Sequence, residues 1–69
     1  MITQYDPEAD VLYIQFAPED SASEGEEVHP GVMLMFNGNN RVVAIEIQPA
    51  SKVLPEGAIA GLPLPVAAE

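Results

Sequence analysis

The sequence predicts a small α+β domain, mainly β: one antiparallel sheet of about four strands, made of two hairpins, with a short C-terminal helix and a Pro-rich tail. Three observations predict it. Asp6-Pro7 and Asn37-Gly38-Asn39-Asn40 are turn-forming stretches, each followed by a run rich in β-branched, aromatic or aliphatic residues. Those runs are strand-length and bounded by turn residues. After Gln48 the composition shifts to small residues and prolines, which allow one helical turn and forbid a long helix.

Met1 to Tyr5 is short enough to be a first strand. Asp6 then starts a turn, because its carboxylate can accept a hydrogen bond from backbone further on and Pro7 presets φ. Val11 to Ala17 is the second strand; Leu12, Ile14 and Phe16 share one face, while Tyr13 and Gln15 lie on the other, partly wet one. Pro18 ends it. Residues 18–27 carry five acids and no large apolar group, which predicts a solvated, mobile loop. Pro30 cannot donate to a ladder, so any pairing before it is broken or at an edge.

Val32 to Phe36 is apolar at every position, the pattern of a strand covered on both faces. The C-terminal tail is one expected cover and a second subunit the other. Met33 and Met35 share the face assigned to that subunit interface, since Val32, Leu34 and Phe36 claim the opposite side. Asn37 to Asn40 is a hairpin turn, as Gly and Asn tolerate positive φ. Arg41 to Gln48 is the partner strand, with Val43, Ile45 and Ile47 inward and Val42, Ala44, Glu46 and Gln48 on the other face. Within Pro49 to Leu54 one helical turn is expected, with Pro49 or Ser51 near its start. The division is therefore a single β-rich domain over residues 1–54 and a Pro-rich apolar tail over 55–69, an extended arm or a loosely ordered end.

The chain has 69 residues, with 48% hydrophobic content and a net charge of −9 from eleven acids against Arg41 and Lys52. A chain of this size is marginal alone and usually needs a supplement. It has no cysteine and one histidine, so disulfides and the usual zinc sites are out of reach. A partner subunit remains, and a homo-oligomer, a dimer by preference, is expected. The charge repels nucleic-acid phosphates and anionic lipid, so neither nucleic acid nor membrane is an expected partner. A small basic protein is one. The longest apolar run is Val32 to Phe36, far short of the ~20 residues that span a bilayer. No basic segment followed by an apolar core opens the chain, and a cytoplasmic protein is expected.

The segments Tyr5-Asp6-Pro7-Glu8-Ala9-Asp10 and Leu12-Tyr13-Ile14 resemble the opening of domain of unknown function 2283, an uncharacterised bacterial and archaeal family. Pro30-Gly31-Val32, Arg41-Val42-Val43, Ile45-Glu46-Ile47 and Ala50-Ser51-Lys52 fit the same pattern, so the resemblance covers about residues 3–54. It implies a compact antiparallel sheet with a short C-terminal helix, and no known reaction or catalytic residue. The resemblance also implies an antitoxin-like role, from members encoded beside small toxins.

Candidate chemistry is sparse. Asp6, Glu8 and Asp10 alternate like the start of a calcium loop, but Val11 and Ala17 stand where such a loop needs Gly and a bidentate Glu. Carboxylates bonded to backbone amides of a hairpin turn are the simpler reading. His29, beside Glu26 and Glu27, reads as a surface residue of a turn; a weak pH sensor is the sharper alternative. The expectation is a non-enzymatic protein–protein interaction module, with no catalytic residue, metal or cofactor. The alternative is a small metal-dependent or acid–base enzyme using Asp6, Glu8, Asp10 and Glu46, which requires those carboxylates to converge.

Overall fold

The structure, a computed structural model, describes residues 1–62. It is a five-stranded antiparallel sheet with one short helix: β1 (Ile2–Asp6), β2 (Val11–Gln15), β3 (Glu24–His29), β4 (Val32–Phe36), β5 (Val42–Ile47) and α1 (Ala50–Val53). The strand order is β1-β2-β5-β4-β3. Thus β1–β2 is one hairpin, β3–β4–β5 is a meander, and β2 joins them by pairing with β5.

Both expected hairpins are present, and a fifth strand is added. Residues 24–27, expected to be loop, form most of β3, so the solvated connection ends at Ser23. The strand escapes notice in the sequence because all six of its residues are exposed. An edge strand is held by its backbone ladder and needs no apolar face. Here the ladder runs from Glu24 opposite Phe36 to His29 opposite Val32, with an irregularity between Glu27 and His29, just before Pro30. The connection from β2 is fixed at both ends, by Phe16 N donating to Val43 O (2.8 Å) and Ser23 N to Phe36 O (2.7 Å).

The Asn37 turn folds as its residues dictate. Asn37 Oδ1 accepts from the amides of Asn39 (2.9 Å) and Arg41 (3.0 Å), and Asn40 has φ 64°. The Pro30-Gly31 turn is tighter. Gly31 has φ 87°, and a Cβ there would meet Val53 Cγ2 at 2.6 Å and Gln48 O at 3.0 Å. Only glycine lets this turn pack under α1.

Register divides the sheet into two faces. Tyr5, Leu12 and Ile47 are successive neighbours on one, as are Ile14, Ile45 and Leu34. The core of Leu12, Ile47 and Ala50 lies here, with Val53, Leu54, Ile59 and Leu62 packed against it. The expected helical turn and tail therefore cover this face. Residues 55–62 fold back as successive turns rather than leaving as an arm; Ala58 N donates to Pro55 O (3.0 Å) and Leu62 N to Ile59 O (3.1 Å). The rest of the expected tail, 63–69, lies outside the described residues. The inward assignment of Val43, Ile45 and Ile47 agrees with their burial or half-burial, but a bulge between Met35 and Phe36 sets Val42 opposite Phe36. On the second face run Gln4, Tyr13, Glu46, Met33 and Glu27, in order across the five strands. No described element lies over it, so β4 is half-buried throughout rather than enclosed on both sides.

Candidate functional site

Asp10 is the most heavily bonded side chain among the described residues. It ends the β1–β2 turn in a left-handed conformation, φ 58°. Tyr5 Oη donates to its Oδ1 at 2.7 Å, and Ser51 Oγ to its Oδ2 at 2.6 Å. The Ser51 amide donates to both oxygens (3.1 and 3.3 Å), and the Ala50 amide to the Asp10 carbonyl at 2.8 Å. Pro49, at the helix N-cap, supplies no side-chain cap. Asp10 therefore caps α1 from the far end of the chain, satisfying amides that a helix start leaves without partners.

The electrostatics follow from that geometry. The Ser51 hydroxyl, then the Tyr5 hydroxyl, hold the Asp10 carboxyl below its usual value, against a smaller opposing effect of desolvation. Hydrogen bonding to Asp10 in turn raises the Tyr5 phenol. A carboxylate so stabilised is a weaker proton acceptor than a free one. Beside the knot lies an open groove of about 640 Å³, lined by Tyr5, Ser51 and residues of the 55–60 turns.

The other carboxylates go elsewhere. Asp6 Oδ1 accepts from the amides of Glu8 (3.0 Å) and Ala9 (3.3 Å), the turn role read from the sequence. Asp6 and Glu46 line a shallow hollow of about 330 Å³ on the uncovered face, with Gln4, Val11 and Tyr13. Glu8 is exposed in the turn, and Asp10 points to the helix on the covered side. The structure thus brings together two of the four residues proposed for acid–base chemistry. No group of three or more His, Asp or Glu able to hold a metal occurs among the described residues. Arg41 precedes the opposite end of β5 from Glu46, and Lys52 is on α1, across the sheet. His29 is exposed at the end of β3.

The uncovered face is most unusual next to β3. A Cβ on Gly25 would lie 3.0 Å from Met33 Sδ and 3.3 Å from Met35 Sδ, so both thioethers reach across the space that Gly25 leaves. Glu24 and Glu26 flank Gly25 along the strand but follow Phe36 and Leu34 onto the helix side. Glu27 is partly committed, its Oε2 accepting from Gly31 N at 3.2 Å. The β3 edge therefore combines a backbone row open to solvent, two free carboxylates on one side and a methionine shelf on the other. Sequence reasoning placed the methionines on the right face and missed the strand beside them.

A family model described as protein of unknown function (DUF2283) matches residues 3–51. The match takes in both ends of the Asp10–Ser51 link. No curated protein and no solved structure matches the chain.

Proposed function

We propose that this chain, which belongs to the DUF2283 family, is a non-enzymatic interaction module that binds and neutralises a small basic protein, in the manner of an antitoxin. The observation that carries the reading is the β3 edge with the uncovered face beside it. It presents acids and methionines with no lysine or arginine among them, on a molecule of net charge −9. Methionine suits a recognition surface because its flexible thioether adapts to the partner. Acid-rich surroundings speed the encounter with a cation and discourage self-association. The commitment of Asp10 to the helix and of Asp6 to its own turn amides, with Glu8 exposed apart from Glu46, favours binding over acid–base catalysis. A homodimer fits the small core, but its contact needs a surface other than this one, where like charges would meet.

The test is capture by the immobilised protein from a lysate of its own cells, followed by reconstitution with the captured chain purified. The expected result is one basic chain that binds at low salt, is released as salt rises, and binds again as the purified pair. Recovery of no chain above background, or of an acidic chain insensitive to salt, would overturn the reading.

A further inference from the structure

We infer that the partner is held as an added strand: an extended segment pairs along β3, with Lys or Arg at alternate positions and an apolar residue between them. This rests on the reading that the partner is basic and names how it is gripped. An edge strand in an antiparallel sheet turns alternate amides and carbonyls outward, where they pair with solvent or with another chain. β3 pairs with β4 alone, and all six of its residues are exposed. The irregularity between Glu27 and His29 limits the regular edge to Glu24–Glu27.

The side chains then dictate the sequence that fits. In an added strand, the residue opposite Gly25 lies on the uncovered face, where Met33 and Met35 crowd the glycine. An apolar side chain there contacts both thioethers. Its two neighbours project to the helix side, against Glu24 and Glu26, where opposite charge is favoured across a strand pair. The pattern is cation–apolar–cation. A second copy of this chain does not fit, since pairing two β3 edges about a two-fold axis gathers both pairs of Glu24 and Glu26 on one face. The other edge, β1, offers only Asp6, whose Oδ1 is engaged by Glu8 and Ala9.

The probes are a short peptide of alternating lysine and valine, the same peptide N-methylated on the amides of one edge, and a glutamate–valine counterpart. They are titrated into the full chain and followed by amide NMR and hydrogen exchange. The lysine–valine peptide should bind and bring new exchange protection at Glu24–Glu27. N-methylation, which keeps charge and apolar content, should weaken it roughly tenfold or more. In Glu24→Lys/Glu26→Lys, both exposed positions, preference should swap to the glutamate–valine peptide while the spectrum of the rest of the sheet is unchanged. Equal binding of the methylated peptide, or shifts lying away from β3, would overturn strand addition and leave the basic-partner reading in place. No binding of the lysine–valine peptide at low salt would also overturn strand addition; the lysate capture then decides the broader reading separately.

Discussion

A single carboxylate, Asp10, ties the first turn to the helix that follows the last strand, 41 residues away. Asp10→Asn keeps size and loses charge, and should lower the melting temperature and loosen α1. The pH dependence has a definite sign. The folded pKa of Asp10 is lowered, so its contribution is complete above the ordinary carboxylate value and is lost as pH falls through the folded value. Acid titration below about pH 4 should therefore destabilise the wild type more steeply than Asp10→Asn, as read by circular dichroism. Tyr5 has the opposite sign: its pKa is raised, so its hydrogen bond persists at neutral pH and fails only as pH rises past the ordinary phenol range. Gly31 gives a second residue-scale test. Gly31→Ala forces a left-handed alanine against Val53 and Gln48 and should cost ~1–3 kcal/mol in urea unfolding.

Half of this was legible in the sequence. Asp6 accepts from amides two and three residues on, the local geometry that Asp-Pro announces. Asp10 was assigned the same local role, yet its side-chain partners include Ser51, across the fold. A cap supplied from a distant element leaves no spacing in the chain. The one available hint was a helical turn beginning at Pro49, which has no side chain able to cap it.

At the scale of elements, strands with an alternating or wholly apolar pattern were readable, and the strand without one was not. β2, β4 and β5 each bury or half-bury most of their side chains, so their residues report their faces. β3 buries none, and five acids between residues 18 and 27 look like solvated loop. Its stability should match its position: amide exchange should be slow in β2 and β5, each paired on both sides, and fast along the outer row of β3. Gly25→Ala tests the methionine shelf. The added Cβ meets only the far ends of two flexible side chains, which can move aside. Stability should change by less than about 0.5 kcal/mol, while a strand docked beside Gly25 should bind more weakly.

At the scale of the molecule, a small core on one face of the sheet leaves the other face uncovered by any described element. The core depends on few residues. Leu12 is 2% exposed at its centre, and Leu12→Ala should cost ~2–5 kcal/mol. Against a total of roughly 3–10 kcal/mol expected for this length, that variant should be partly unfolded at ambient temperature by circular dichroism. Composition made part of this legible, since a chain this short and without cysteine is expected to be marginal on its own. The surface proposed for a partner was out of reach, because it is defined by an edge strand with no apolar signature.

Native mass spectrometry of the untagged protein, purified from its own cells at low and at high salt, addresses the binding reading most directly. A heterocomplex with a small basic chain is expected at low salt, and its dissociation at high salt. A stoichiometric bound metal, or a homo-oligomer carrying no second chain at either salt, would contradict it.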